Sequence, residues 1–197
     1  MTVQSPIPDY SAARAAMVDS QLRPQGVTDR GVLAAMGSVA REEFVPDGVR
    51  PLAYVDRSLP LGDGRFLPPP AFLGQLLTGM APVAGERALV VGGSGYSEAV
   101  LSHIGCAVTS VDAEAATGSK PGSAYDLILI EGAVEYVPEA FISQLADGGR
   151  LGAALIESGV SRLIVGRKAG GAFGYFSIGD ADVAPLPGFS RPRAFTF

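Results

Sequence analysis

Three glycines and one aspartate carry the strongest chemical signal in the sequence. Gly92, Gly93 and Gly95 follow a short apolar run and precede a segment with helical spacing, and Asp112 lies 17 residues beyond Gly95. Glycines let a ligand approach the backbone, free N–H groups at a helix start attract polar ligand groups, and a carboxylate binds the hydroxyls of a ribose. The pattern predicts a nucleoside site. A glycine-rich turn without a ligand remains the alternative, because the dinucleotide motif is incomplete.

The elements around these residues are expected to place them at one edge of a sheet. Residues 88–91 and 127–130 are continuous apolar runs, which predict strands over 88–91 and 125–130 that are buried on both faces. Glu131 follows the second run, as Asp112 follows a third over residues 107–111. Ligands of parallel sheets bind at the carboxyl ends of strands, so both acids are predicted to face one crevice. The alternatives are an exposed loop acid for Glu131 and a solvated strand-end acid for Asp112.

The remaining patterns predict an α/β protein. Helices are predicted over residues 11–22, from Thr28 or Asp29 to the motif 41–46, from Pro69 or Pro70 to residue 80, and over residues 138–145. Residues 47–70 and 113–124 are predicted as loops, residues 150–156 as a strand, and residues 161–168 with 172–178 as a hairpin. Together they indicate a doubly wound, mostly parallel sheet with N-terminal helices and a C-terminal antiparallel hairpin.

Residues 1–84 are expected to form a helical and loop extension that packs on an α/β domain of residues 85–197, as one compact unit.

Composition narrows the range of functions. The net charge is −5 and the 15 basic residues are scattered, which argues against a nucleic-acid partner. Cys106 is the only cysteine and His103 the only histidine, so we expect no intrachain disulfide and no metal site built on these residue types. Without a secretory signal pattern or an apolar run long enough to span a bilayer, the sequence predicts a cytoplasmic protein that does not enter a membrane.

Several motifs together resemble the protein-L-isoaspartate O-methyltransferase family. The most specific is the leader motif Arg41-Glu-Glu-Phe-Val-Pro46; residues 90–96 resemble the cofactor glycine motif, residues 111–112 the ribose-binding acid and residues 148–151 a late sheet signature. Members of the family use S-adenosylmethionine to esterify the carboxylate of isoaspartyl residues in damaged proteins. The resemblance implies a methyltransferase-type sheet, a protein or peptide substrate, and S-adenosylmethionine at Gly92, Gly93, Gly95 and Asp112, with Glu131 in the same crevice.

The loop expected to contact the substrate departs from the family pattern. Family members carry hydroxyl residues there, whereas this chain has Arg65-Phe-Leu-Pro68. The side chains of Phe66 and Pro68 form no hydrogen bond to a carboxylate, so we predict altered or lost isoaspartyl activity. Arg65 is either an ion-pair partner for an anionic substrate or a plain surface arginine. No catalytic residue is assigned.

Two further departures concern the cofactor. The glycine motif is one residue short, and only 12 residues separate Asp112 from Tyr125, where the family has a helix, a strand and a loop that lines the adenine. Such a connection is too short for all three elements. The sequence therefore predicts a divergent methyltransferase whose adenine side is open and whose cofactor binds weakly. The alternative is a non-catalytic interaction module with the methyltransferase fold.

Overall fold

The fold is given by a computed structural model, which describes residues 9–113 and 124–191. The α-helices in these ranges are α1 (Tyr10–Met17), α2 (Arg30–Ser38), α3 (Pro70–Met80), α4 (Tyr96–Ile104) and α5 (Glu139–Gln144). The strands are β1 (Leu59–Gly62), β2 (Arg65–Leu67), β3 (Arg87–Val91), β4 (Ala107–Val111), β5 (Tyr125–Val134), β6 (Leu145–Glu157), β7 (Val160–Ala169) and β8 (Ala172–Asp180).

The main sheet has six strands in the order β4-β3-β5-β6-β7-β8. The first four are parallel, and β7 and β8 form the predicted antiparallel hairpin. Chain connections leave β3 toward β4 on one side and arrive at β5 on the other, so the sheet has its switch point beside β3. In doubly wound sheets ligands bind outside the carboxyl ends of the strands at such a point. The predicted fold class is confirmed.

The central strands bury alternate residues on opposite faces of the sheet. One hydrophobic cluster takes Ala88, Val90, Leu127 and Leu129 and packs them against the N-terminal helices, α3 and α4; the other takes Leu89, Val91, Ile128 and Ile130 and packs them against Phe141 and Phe189. This alternation is the two-residue period of a strand with both faces covered, as the continuous apolar runs predict. The helical stripe on α3 is also in the core.

The ends of the first helices follow local capping chemistry. Asp9, and not the expected Ser11, caps α1 by accepting a hydrogen bond from the Ala12 N–H at 3.1 Å, and the helix continues as a π-turn over Val18–Leu22. Asp29 caps α2 by accepting from the Val32 N–H at 2.9 Å. A carboxylate at the N-cap also opposes the positive end of the helix dipole.

Two sequence predictions need correction. The stretch predicted as a loop over residues 47–70 contains the short hairpin β1–β2, which pairs Leu59 with Leu67. The strand predicted to end before Glu131 continues to Val134, because residues 133 and 134 pair with β6. Most of the predicted loop 113–124 and residues 1–8 lie outside the described ranges.

An ion pair closes the amino-terminal edge of the sheet. Arg150 on β6 donates to both carboxylate oxygens of Glu86, at 2.6 and 3.0 Å, and also to the carbonyl oxygens of Met80 and Ala81, each at 2.9 Å. Both charged side chains are less than one fifth exposed. The guanidinium therefore ties the end of α3 to the start of β3 and to β6.

In the part of the chain that the structure covers, no helix is long and apolar enough to cross a membrane.

Candidate active site

A cavity of about 230 Å³ lies at the carboxyl ends of β3, β4 and β5. The predicted site residues in its wall are Arg65, Phe66, Pro68, Gly92, Gly93, Asp112 and Glu131. Gly95 is the exception. It begins α4 in the left-handed conformation, with φ of 88°, and a Cβ on it would stand 3.1 Å from the Phe44 ring. The structure thus brings the predicted cofactor and substrate residues together, apart from this glycine, which starts the helix.

The glycine turn between β3 and α4 is closely packed. A Cβ on Gly92 would lie 2.6 Å from the side chain of Leu186, and one on Gly93 would lie 1.9 Å from the carboxylate of Glu98. Two of the N–H groups expected to be free are already paired: Gly92 donates to the Val111 carbonyl at 2.9 Å, and Ser94 donates to Glu131 at 2.8 Å. Larger side chains in the turn would therefore meet Leu186 or Glu98, and Glu131 already accepts one of the N–H groups of the turn.

Glu131 is the most deeply buried acid of the cavity wall, with 3% of its surface exposed. Its Oε2 accepts from the Ser94 N–H at 2.8 Å and its Oε1 from the Ser94 hydroxyl at 2.7 Å. Burial raises the pKa of Glu131 to about 7, the hydrogen bonds from Ser94 lower it, and the neighbouring Glu98 raises it further. An exposed loop acid is therefore the wrong interpretation for this residue, whereas Asp112 is exposed at the end of β4.

Arg41, from the leader motif, lies buried beside this turn. Its Nε donates to the Ala53 carbonyl at 2.7 Å, another guanidinium nitrogen donates to the Pro68 carbonyl, and the guanidinium carbon stands 4.9 Å from the centre of the Tyr96 ring. Burial lowers the pKa of Arg41. Burial also raises the pKa of Tyr96, to about 12, although the charge of Arg41 lowers it. Arg41 therefore holds the leader, the predicted substrate loop and the first residue of α4 in a fixed relation.

A segment near the C-terminus forms a wall of the cavity that sequence reasoning missed. We call residues 183–189 the C-terminal strap. The strap lies alongside β5: Ala133 donates to the Ala184 carbonyl at 3.0 Å, and Leu186 donates to the Ala133 carbonyl at 2.8 Å. The Ala184 N–H in turn donates to the Ser58 hydroxyl at 3.3 Å. An apolar run interrupted by two prolines was the available signal, since such a run suits the border of a sheet and not its interior.

The side facing the strap is the hairpin β1–β2. Arg65 is exposed at its tip, Phe66 is 39% exposed, and Pro68 is buried with its carbonyl bound by Arg41. Along this hairpin and at Pro68 just after it, the cavity wall offers the carboxylate of Asp63, the guanidinium of Arg65 and the apolar side chains of Phe66 and Pro68. It therefore suits a polar group next to an apolar one, and supplies no hydroxyl at the positions where the family carries them.

The side chains that line the cavity suit a nucleoside that carries an amino-acid arm. Asp112 supplies an exposed carboxylate for two hydroxyls, Glu131 supplies a buried one for a cation, and Phe66 and Leu186 supply apolar surface. Within residues 9–113 and 124–191, no three or more His, Cys, Asp or Glu side chains lie together as a metal ion would require.

Comparisons with known proteins show the family of the chain. The family model for protein-L-isoaspartate(D-aspartate) O-methyltransferase matches residues 13–115 and 106–173. A protein-L-isoaspartate O-methyltransferase of Methylorubrum extorquens is 35% identical, over 76% of this chain and 77% of that protein. Protein-L-isoaspartate O-methyltransferase 2 of Marinobacter nauticus is 32% identical, over 91% of this chain and 95% of its own.

Solved structures show the same fold. A putative protein-L-isoaspartate O-methyltransferase from Plasmodium falciparum, in complex with S-adenosyl-L-homocysteine, superposes with a TM-score of 0.73 at 16% identity and covers 91% of this chain and 99% of its own. At 16% identity this similarity shows the fold alone, whereas the family model and the bacterial relatives show the family. This chain belongs to the protein-L-isoaspartate O-methyltransferase family.

Proposed function

We propose that the protein transfers a methyl group from S-adenosylmethionine to a carboxylate of a protein or peptide. The observation that carries the proposal is the single cavity in which the glycine turn, Asp112 and the hairpin β1–β2 meet. Family membership supplies the reaction class, and the shared lining of the cavity supports a site in which the expected cofactor residues lie near the expected substrate loop. We further propose that residues 85–197 form the methyltransferase-like domain, with residues 1–84 as its extension.

The residues of the cavity suit a reaction that depends on placement. The bound cofactor supplies an electrophilic methyl group, and the substrate carboxylate is itself the nucleophile, so the protein needs no side-chain nucleophile. Asp112 holds the ribose and the glycine turn holds the amino-acid arm. Arg65 lies at the rim, where a guanidinium attracts the substrate carboxylate. Phe66 and the C-terminal strap, including Leu186, exclude water around the reacting groups.

Methyl transfer to matched peptides tests the proposal. An isoaspartyl peptide and its aspartyl twin are incubated with radiolabelled cofactor, and methyl ester is counted for the wild type, Asp112→Asn and Glu43→Gln. We expect esterification by the wild type, a loss of about tenfold or more for Asp112→Asn, and no change for Glu43→Gln, an exposed acid outside the cavity. Failure to esterify either peptide or a mixed protein extract would contradict the proposed function.

We also expect the isoaspartyl rate to be lower than is typical for the family, because Phe66 and Pro68 bring no hydrogen-bond donor to the substrate carboxylate. Replacing Phe66 with Ser is the direct check. A rate that rises in this variant supports the explanation. A wild-type rate already typical of the family would mean that backbone groups or Ser58 take over this role.

A second candidate is an interaction module with the methyltransferase fold and no turnover. One observation favours it: Leu186 packs over Gly92 and lies against Gly132, where a Cβ would stand 2.9 Å from it. The cavity of about 230 Å³ is accordingly smaller than the roughly 300 to 1,000 Å³ common for small-molecule sites. Absence of cofactor binding at several-millimolar concentration would favour this candidate. The cytoplasmic location and the lack of a nucleic-acid partner stay predictions from composition.

A further inference from the structure

We propose that Glu131 is the binding site for the α-ammonium group of the cofactor's amino-acid arm, and that it makes this site selective for ligands that carry a cationic amine. The inference rests on the proposed function. It adds a specific ionic contact with the cofactor for Glu131, which was predicted as a site residue only from its position at the end of a strand.

The first step is the incomplete pairing of a buried charge. Glu131 is 3% exposed, accepts two hydrogen bonds from Ser94, and has the Ser97 hydroxyl as a further neutral donor that lowers its pKa. A carboxylate has about four acceptor positions on its two oxygens, so capacity for another donor remains. Within the described ranges, no Lys, Arg or His nitrogen lies within 4.0 Å of it. Buried carboxylates are normally paired with a cation, and this one lines a cavity.

The second step is the charge of the surroundings. Glu98, on the first turn of α4, is close enough to raise the pKa of Glu131, and Asp112 lines the same cavity. Arg41 is the buried cation of this region and its charge interacts with that of Glu131, but its hydrogen bonds go to the Ala53 and Pro68 carbonyls and it lies over the Tyr96 ring, outside the cavity wall. The side chains that line the cavity next to Glu131 therefore bring no cation to it, which favours a cationic ligand group over an anionic one.

The third step is the position of Glu131 relative to the glycine turn. The Ser94 N–H, the donor that Glu131 binds, belongs to the turn itself, and Gly132 follows Glu131 in the cavity wall. The amino-acid arm of the cofactor has both a carboxylate and an ammonium. Because the Ser94 N–H is occupied by Glu131, the contact left for this arm at Glu131 is the one that an ammonium donor makes.

The test compares two ligands that differ in the amino-acid arm. S-adenosylhomocysteine carries the arm, and methylthioadenosine shares the nucleoside and the sulfur but lacks it. Dissociation constants for both are measured by calorimetry or ligand-detected nuclear magnetic resonance on the wild type, Glu131→Gln and Asp112→Asn. We expect Glu131→Gln to weaken S-adenosylhomocysteine about tenfold or more while methylthioadenosine changes less than about twofold. Asp112→Asn should weaken both ligands by a similar factor, because both carry the ribose.

Two controls address folding and charge. Thermal unfolding checks that each variant is folded, and Glu131→Asp, which keeps the charge, should retain more of the preference for S-adenosylhomocysteine than Glu131→Gln. In addition, wild-type affinity for S-adenosylhomocysteine should fall as the pH is lowered through about 7, where Glu131 becomes protonated, and the affinity of Glu131→Gln should not.

Other results overturn the inference in distinguishable ways. Equal weakening of both ligands by Glu131→Gln would make Glu131 a structural support of the whole site. Unchanged or tighter binding of S-adenosylhomocysteine would show that Glu131 competes with the ligand carboxylate for the Ser94 N–H. If the wild type binds neither ligand, the cofactor assignment itself fails, and the inference fails with it.

Discussion

The central strands have a carboxylate near each of their two ends, which we call the amino-terminal and carboxyl-terminal edges of the sheet, and the two carboxylates have different partners. At the amino-terminal edge, Glu86 is bound through both oxygens by the guanidinium of Arg150. At the carboxyl-terminal edge, Glu131 is buried more deeply and has serine groups as its donors, the amide and hydroxyl of Ser94 and the hydroxyl of Ser97. The first acid has a cationic partner in the protein, and the second has neutral donors alone.

The difference separates a carboxylate that holds the fold from one that is prepared for a ligand. A buried ion pair offsets the desolvation of both charges within the protein, so removing one partner leaves the other unpaired. A buried acid with neutral donors keeps part of its desolvation cost, which a cationic ligand can later offset. The pKa of Glu131, raised to about 7, reflects this remaining cost.

The largest expected effect is on stability at the amino-terminal edge. Arg150→Ala should lower the free energy of unfolding by about 4 kcal/mol, because Glu86 stays partly buried without its cation and two carbonyl contacts are lost. Urea unfolding measures the change. The matched control is Arg162→Ala. Arg162 forms only long ion pairs of 3.9 Å and is 47% exposed, so the expected loss is below about 1 kcal/mol. Similar losses in the two variants would contradict the structural role of Arg150.

The second effect is a pH dependence at the carboxyl-terminal edge. The pKa of Glu131 is raised in the folded protein from 4.5 to about 7, so the folded state holds a proton that the unfolded state has released between these values. Stability therefore falls as the pH rises through this interval, by on the order of 3 kcal/mol, and is constant above it. Glu131→Gln lacks this dependence.

The measurement is the difference in unfolding free energy between the wild type and Glu131→Gln, recorded from acid to neutral pH. Subtraction removes the contributions of the other titrating groups. We expect the variant to gain on the wild type as the pH rises from 4.5 to about 7. A difference that does not change with pH would show that Glu131 keeps an ordinary pKa, and the contrast between the two edges would then be one of geometry alone.

The sequence predicts the central strands correctly, and also the shared edge at which most of the candidate site residues lie. Doubly buried strands are visible as apolar runs, because every side chain of residues 88–91 and 127–130 must enter one of two apolar layers. The predicted glycine turn, Asp112 and Glu131 reach one cavity because the carboxyl ends of parallel strands must share an edge. These features depend on periodicity and topology, which a sequence encodes locally.

The features that sequence reasoning missed depend on contacts between distant residues. The strap contacts β5 through residues more than fifty positions away, and Leu186 reaches Gly92 across the cavity. The N–H groups of Gly92 and Ser94 are paired through a neighbouring strand and a neighbouring carboxylate, which no local pattern reveals. The hairpin β1–β2 was hidden because β1 contains a proline and a glycine among its four residues and β2 is only three residues long.

A smaller effect distinguishes a turn that faces the cavity from one that does not. Gly92 and Gly148 both have positive φ, 69° and 81°, but a Cβ on Gly148 meets nothing within 4 Å, whereas one on Gly92 meets Leu186. Gly148→Ala should cost about 1 kcal/mol for the backbone alone, and Gly92→Ala about 1 kcal/mol more for displacing Leu186. Thermal unfolding of both variants measures the two costs.

The background variant Leu186→Ala decides what the extra cost means. With the larger side chain removed, Gly92→Ala should cost no more than Gly148→Ala, because only the backbone term is left. An extra cost that persists in this background would show that the turn, and not the strap, requires the glycine.

The smallest expected effect is the stabilisation of the protein by its cofactor. With 12 residues between Asp112 and Tyr125, the family's adenine-lining segment is shortened, and uncovering about 60 to 100 Å² of the ring weakens binding by about 1.5 to 2.5 kcal/mol. Affinity then falls about ten- to seventyfold, from micromolar toward millimolar. A ligand present at its dissociation constant adds only about 0.4 kcal/mol, so about 0.1 mM cofactor should move the unfolding midpoint by no more than about 1 °C. A shift of several degrees at that concentration, abolished by Asp112→Ala, would contradict this prediction. It would mean that the adenine is covered by another part of the chain.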